Sequence, residues 1–273
     1  MIELLKKEIA GKKTFDDKVN SLRELLQFVC LKILYDKGYF SRLTFTGGTA
    51  LRILYNLRRF SEDLDFFLTV KSGYDFSAIA SDLKRGFGLN GLEMSLKTWG
   101  LGDVDSGAMN FPELLKNVGL SSAGGPDISI KLEISLNPPA GGEVEKTIIN
   151  RIFMFNIAHF SLPSLYATKL HACFFRKHVK GRDFYDLLWY LGKKVKPNYV
   201  VLNNAIRQTE GEFQSLNESN LKDFLLRSLE KVDFREARKD VEKFLEDKSD
   251  LKLLEESVIA KSVIDVFGTP LFD

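Results

Sequence analysis

The stretch TGGTALRILYNLRRFSEDLDFFL, Thr46 to Leu68, decides how the rest of the chain is read. It begins by closing an apolar run, Leu43-Thr44-Phe45-Thr46, that reads as a strand. Gly47 and Gly48 follow, and two glycines allow a sharp turn and a close backbone approach to a ligand. Thr49 stands where it can cap the next helix, and the free N–H groups of a helix start form an anion site. Ala50, Ile53, Leu54 and Leu57 recur at helical spacing, which predicts that helix. The segment from Ser61 to Phe66 reads as a second strand. Its period of two puts Ser61, Asp63 and Asp65 on one face and Leu64, Phe66 and Leu68 on the other.

Two carboxylates side by side on a strand repel each other, and a cation between them removes that penalty. Oxygen ligands of this kind suit Mg²⁺, with Mn²⁺ as the alternative. A glycine turn for phosphates, placed before an Asp-x-Asp strand, points to metal-assisted transfer from a nucleoside triphosphate (NTP). In that reading Gly47, Gly48, Thr49 and Ser61 face the nucleotide. The plainer reading of Asp63 and Asp65 is a polar edge strand with two solvated aspartates. The glycine turn and the intervening helix separate the two readings.

Working outward, residues 1–14 read as a short exposed helix and Asp16 to Lys37 as a stronger one. Val19, Leu22, Leu25, Leu26, Val29, Cys30, Ile33 and Leu34 fall on one stripe of that second helix, and Gly38 stops it. On the other side, a helix is expected from Phe76 to Phe87, ended by Gly86 and Gly88. Glu93 to Lys97 suggests a strand, and Asp103 to Asn110, with Gly107 and two Asp, reads as a loop. From Asp127 to Leu136, Ile128, Ile130, Leu132, Ile134 and Leu136 alternate with Ser129, Lys131, Glu133 and Ser135, a clear strand. Glu133 stands on its polar face beside Lys131. A further strand is expected from Val144 to Phe155. Leu162-Pro163-Ser164 then marks a junction, with Ser164 as an N-cap, and divides the chain into a core, 1–160, and a helical domain, 161–273.

In the second part, Lys169 and Arg176 share a face of a helix Leu165–Arg176, and His178 to Gly181 is a turn. Arg182-Asp183-Phe184-Tyr185-Asp186-Leu187 opens the next helix with Asp183 and Asp186 on one face. Asp183 also fits a helix N-cap. Arg176, Lys177, Lys180, Arg182, Lys193, Lys194 and Lys196 cluster here, with Arg58 and Arg59 earlier. Tyr185, Trp189 and Tyr190 interleave with the basic residues, which suits stacking on bases and equally suits a solvated face over core aromatics. Residues 198–265 read as helices of mixed charge and carry no chemistry of their own.

An apolar fraction of 44%, with 22 Phe, supports a sizeable aromatic core. The 39 basic and 37 acidic residues nearly balance, so any nucleic-acid footprint has to be local. The histidines lack the spacing and companion ligands of a zinc site. Cys30 and Cys173 lie in apolar helical contexts, which predicts buried free thiols. No apolar run is long enough to span a bilayer, and the expectation is a soluble, cytoplasmic protein without a membrane partner.

The motif GGTALR, continued by RFSEDLDF, resembles the first motif of the nucleotidyltransferases related to the AbiEii/AbiGii abortive-infection toxins, within the DNA polymerase β-like superfamily. Lys169, Arg176 and the run RDFYDL from Arg182 resemble the second block of that family. The resemblance implies an α/β (α+β) polymerase β-like nucleotidyltransferase core, with a small mixed sheet and flanking helices, followed by a helical C-terminal domain. It implies that Asp63, Asp65 and a third carboxylate on a later strand bind Mg²⁺, and Glu133 fits that third place by position and face. It further implies that Lys169 holds the triphosphate and that Asp183 belongs to the active site. A toxin of a type IV-like toxin–antitoxin pair follows, with the 3′ end of tRNA as acceptor and a cognate antitoxin as partner. Two other readings stay open: an NTP-binding or interaction module without turnover, and a nucleotidyltransferase acting on a small molecule such as an antibiotic.

Overall fold

The structure, a computed structural model, describes residues 1–121, 127–176, 178–212 and 214–268. Lys177 of the basic cluster lies outside them. The chain divides into two compact units, one of Met1–Pro138 with Val144–His159 and one of Pro139–Glu143 with Phe160–Asp273. The two are described separately.

The first unit opens with helices α1 (Ile2–Ile9) and α2 (Phe15–Asp36). The first is less exposed than expected, because Leu5 and Ile9 are buried. A capping box starts α2: the Thr14 hydroxyl accepts from the Asp17 N–H, and the Asp17 carboxylate accepts from the Thr14 N–H. Then come β1 (Leu43–Thr46), α3 (Gly47–Tyr55), β2 (Leu64–Leu68) and α4 (Phe76–Leu89). The unit continues with β3 (Ser95–Leu101), β4 (Val104–Phe111), α5 (Leu114–Asn117), β5 (Ile128–Ser135), β6 (Val144–Asn150) and β7 (Met154–Phe160).

Among the described residues these strands form one seven-stranded sheet in the order β3-β4-β5-β2-β1-β7-β6. The sheet is mixed: β2 runs parallel to β5 and β1 parallel to β7, while β1–β2, β3–β4 and β4–β5 are antiparallel. The expected alternation fixes which face is buried. Leu64, Phe66 and Leu68 of β2, with Ile128, Ile130, Leu132 and Ile134 of β5, lie in the core. The opposite face, carrying Asp65 and Glu133, is only partly covered.

Four expectations about these elements fail for local reasons. β2 begins at Leu64, so Ser61 and Asp63 precede the strand and do not stand on it with Asp65. Asp103 to Asn110 is not a loop; β4 occupies it and pairs with β5 along its whole length. Gly86 and Gly88 do not end α4 but lie inside it, because a Cβ on Gly86 would come within 2.7 Å of Ile33 side-chain atoms on α2. The segment from Val144 to Phe155 is not one strand, since β6 ends at Asn150 and β7 begins at Met154.

The second unit is helical: α6 (Leu162–Phe174), α7 (Gly181–Gly192), α8 (Tyr199–Glu210), α9 (Leu221–Leu229), α10 (Phe234–Val241) and α11 (Glu256–Phe267). Pro163 lies in the first turn of α6, where its missing N–H costs nothing, and Ser161, not Ser164, is the residue before the helix. Ser164 is buried instead, and its hydroxyl accepts from the Ser161 hydroxyl and the Glu143 N–H. At the start of α7, a Cβ on Gly181 would meet the Ala237 carbonyl oxygen of α10 at 1.8 Å, so these helices cross at a glycine.

Candidate active site

Two groups of charged residues, one in each unit, contain the side chains singled out by sequence. In the first unit the glycine turn is the start of α3 itself, with Gly47 and Gly48 as its first two residues and Thr46 as the preceding position. Gly47 has φ +78°, and a Cβ there would lie 2.1 Å from Asp65 Oδ2. Only glycine satisfies both the backbone angle and the contact. The Asp65 carboxylate therefore rests directly against the turn, and in the sheet Asp65 pairs with Thr46. A Cβ on Gly48 would lie 2.5 Å from Arg59 Nη2 and 3.1 Å from Ser61 Oγ, so the second glycine admits those two groups. Ser61 is fixed from behind by Gln27, whose Nε2 donates to the Ser61 carbonyl at 3.0 Å.

Thr49 does not cap α3. It is fully buried inside the helix, and its hydroxyl donates to the Asp63 carbonyl. It thereby ties the chain just before β2 to the helix after the glycine turn. Arg59 does not join a surface patch either: it is 2% exposed, and its Nη1 donates to the Phe60 carbonyl at 3.0 Å.

The third carboxylate candidate sits beside Asp65 through sheet register. Parallel pairing of β2 with β5 places Asp65 directly opposite Glu133. Residues paired in this way project from the same face, roughly 5 Å apart across the strands. Glu133 Oε1 is 2.7 Å from Lys131 Nζ, and Ser106 Oγ of β4 lies 3.5 Å from the same oxygen. Among the described residues, no three His, Cys, Asp or Glu side chains are gathered closely enough to hold a metal ion as they stand. The donor chemistry fits Mg²⁺ or Mn²⁺, being carboxylate oxygen throughout. Asp65 and Glu133 also share one face at one level of the sheet. Gathering them requires Glu133 to turn from Lys131, an exchange that a half-exposed ion pair allows at small cost.

In the second unit Lys169 is enclosed by acids. Its Nζ lies 2.7 Å from Asp183 Oδ1 and 2.8 Å from Asp186 Oδ2. Arg176 Nη1 approaches Asp183 Oδ2 at 2.9 Å. The helix expected to reach Arg176 stops at Phe174, so Arg176 reaches Asp183 from beyond the end of α6, while Asp183 and Asp186 both lie on α7 and both contact Lys169. Asp183 is buried within the first turn of α7 and is not its N-cap, a position held by Lys180. The Cys173 Sγ donates to the Asp183 carbonyl at 3.3 Å, and burial pushes that thiol's pKa well up.

The basic cluster is less uniform than the sequence suggests. Lys196 pairs with Glu218, Lys193 sits 5.7 Å over the Trp189 ring, and Arg182 stacks on Phe244 at 4.5 Å. Tyr185 and Tyr190 are buried, and Tyr190 stacks on Tyr166 with ring centroids 4.3 Å apart. They are core residues, not a stacking surface. Sequence reasoning left Ser106 without a role and placed Arg59 in a basic patch, where it is in fact buried. Register and burial reveal them, and neither is visible in a linear motif.

A family model described as "Nucleotidyl transferase AbiEii toxin, Type IV TA system" matches residues 30–258. The protein JHP933 from Helicobacter pylori has a similar solved structure, with a TM-score of 0.57 at 22% identity over 90% of each chain. That likeness concerns the fold. A second H. pylori structure, of a provisionally assigned nucleotidyltransferase, gives a TM-score of 0.47 at 21% identity over 89% of this chain and 96% of its own. Comparison with curated proteins finds no match. The chain belongs to the AbiEii nucleotidyltransferase toxin family of type IV toxin–antitoxin systems.

Proposed function

We propose that this AbiEii-family protein is a metal-dependent nucleotidyltransferase that moves a nucleoside monophosphate from an NTP to an RNA hydroxyl, the 3′ end of tRNA being the favoured acceptor. The observation that carries the reading is the register of Asp65 with Glu133 on adjacent parallel strands, with the Asp65 carboxylate packed against Gly47. Asp63, Asp65 and Glu133 would hold Mg²⁺ or Mn²⁺, which when bound offsets phosphate charge in the transition state.

The chain's own residues then have distinct parts. Gly47 and Gly48 bring backbone N–H groups of a helix start up to the triphosphate, with Ser61 beside them. In the second unit Lys169, to which the family resemblance gives the triphosphate, is held in place by Asp183 and Asp186. The acceptor oxygen attacks the α-phosphorus as the bond from that phosphorus to the bridging oxygen breaks, and pyrophosphate leaves with the bond's electron pair. The hydroxyl proton passes to the Glu133 carboxylate. A cognate antitoxin, implied by the family, would restrain the activity, and the cytoplasm, where NTP and tRNA are found, is the proposed compartment.

The test is incubation of the purified protein with each α-labelled NTP, total RNA and a protein mixture. Label in small RNA of tRNA length is the expected result. Label confined to protein or to a small molecule overturns the acceptor assignment, and no label with any NTP overturns the reaction.

A further inference from the structure

The row of residues that joins Asp65 to Glu133 does not stop there. Glu133 is opposite Ser106 on β4, and Ser106 is opposite Trp99 on β3. Residues opposite one another share a face of the sheet, so Asp65, Glu133, Ser106 and Trp99 form one line across four strands. A second line on the same face, two residues along, runs Lys131, Ala108, Lys97.

The indole at the end of the first line is an unusual residue for its place. β3 is an edge strand, and edge strands ordinarily expose charge or bend away to avoid pairing. Here Trp99 is 40% exposed and its neighbour on that face, Leu101, is 80% exposed. Trp99 is not a remnant of the core, because the core side of β3 is supplied by Leu96, which packs over Gly107. Lys131 Nζ lies 6.0 Å from the Trp99 ring centroid while also contacting Glu133, so one lysine links the indole to the candidate catalytic carboxylate. The distance from Glu133 to Trp99 is two strand spacings, roughly 10 Å.

We infer that Trp99, flanked by Lys97 and Lys131, is a stacking platform for the end of a single-stranded RNA acceptor. An exposed aromatic face with cations on either side is the chemistry that holds a base and its adjoining phosphates. In-line displacement decides which substrate lies there, given the nucleotide assignment above, on which this inference rests. With the β- and γ-phosphates at Gly47 and Gly48, the attacking hydroxyl arrives from the opposite side of the α-phosphorus. Along the sheet that direction leads from Asp65 past Glu133 to Trp99. The platform therefore takes the acceptor's terminal bases and not the base of the NTP.

The chain has two tryptophans, so Trp189→Phe leaves Trp99 as the sole indole reporter. A short single-stranded oligoribonucleotide with a free 3′ hydroxyl should quench that fluorescence saturably, whereas NTP alone should leave it unchanged. In the otherwise unaltered protein, Trp99→Ala should raise the KM for the oligonucleotide about ten-fold, as for one lost base stack. The KM for NTP should move far less. Lys97→Glu should weaken oligonucleotide binding and flatten its salt dependence. Filter binding with Trp99→Ala serves if the Trp189→Phe protein does not fold. Quenching by NTP but not by RNA, or an unchanged oligonucleotide KM and affinity in Trp99→Ala, overturns the platform. Loss of the transfer reading leaves a separate signature: RNA still quenches Trp99 although no label is transferred.

Discussion

Each unit brings together a lysine and carboxylates, yet the two clusters are built on opposite principles. In the first, Lys131 and Glu133 keep side-chain exposures of 40% and 32%, on the partly covered face of the sheet. In the second, Lys169, Asp183 and Asp186 keep 11%, 7% and 0%. A half-exposed ion pair contributes little to stability and exchanges partners readily. A buried one holds its geometry firmly, and removing a single partner strands a charge in the interior. The first cluster suits a place where ligands arrive and leave. The second suits a fixed support whose charge distribution is settled when the unit folds.

The sharpest way to break this contrast is Asp65→Asn. It should reduce nucleotidyl transfer by roughly 10²-fold or more, as for a lost transition-state charge contact, with little change in the thermal midpoint. Transfer assays and calorimetry on the same preparation read both. Retained activity would remove Asp65 from the chemistry, and a large fall in midpoint would place it in the structural class of the second cluster.

Next in size is Asp186→Ala, where the loss should appear in stability. Lys169 would lose one of two buried partners, and the expected cost is about 3–5 kcal/mol, measured by urea denaturation. The double variant Lys169→Met with Asp186→Leu should recover part of that loss, because it removes both charges together. A cost below about 1 kcal/mol for Asp186→Ala would make the second cluster as tolerant as an exposed pair.

These expectations also show how far the sequence carries. Period-two runs reveal β2 and β5 directly, since Leu64, Phe66 and Leu68, and Ile128 to Ile134, are buried as their alternation demands. The glycine turn is legible as a turn, but its contact with Asp65 is not, because that contact depends on the pairing of β1 with β2. β4 reads wrongly as a loop because Gly107 inside it resembles a loop residue. Its missing side chain is required by Leu96, which would lie 3.0 Å from a Cβ there. Thr49 has the composition of a cap and is instead an interior helix residue. Polarity alone suggests that Asp65 and Glu133 face the same way, but it cannot make them neighbours. Register between strands far apart in sequence is set by the closure of the whole sheet.

The smallest expected effect concerns pH and again lies in the second unit. His171 shares a hydrogen bond of 2.9 Å with Thr209 and stacks on Phe175, which stacks on Phe224. Burial lowers its pKa below the ordinary histidine value, Glu210 opposes that shift and Arg176 adds to it. Above about pH 6.5 neither the folded nor the unfolded chain binds a proton at this ring. As pH falls through that value the unfolded chain takes up a proton that the folded chain refuses, so stability declines until the lower folded pKa is reached. His171→Gln should flatten the fall in thermal midpoint between about pH 7 and pH 5.5. Superimposable pH profiles would remove His171 from the acid sensitivity of this unit.

The parallel pairing of β2 with β5 has a consequence for timing. Glu133 follows Asp65 only after α4, β3, β4 and α5, so the ribosome must complete all four before the two carboxylates can meet. A domain emerges at roughly 5–20 residues per second, and parallel pairings between distant segments close slowly. During synthesis the chain carries its glycine turn and Asp65 for several seconds with no Glu133 beside them. For a member of a toxin family, this order of strands would delay assembly of the proposed site until the sheet is whole.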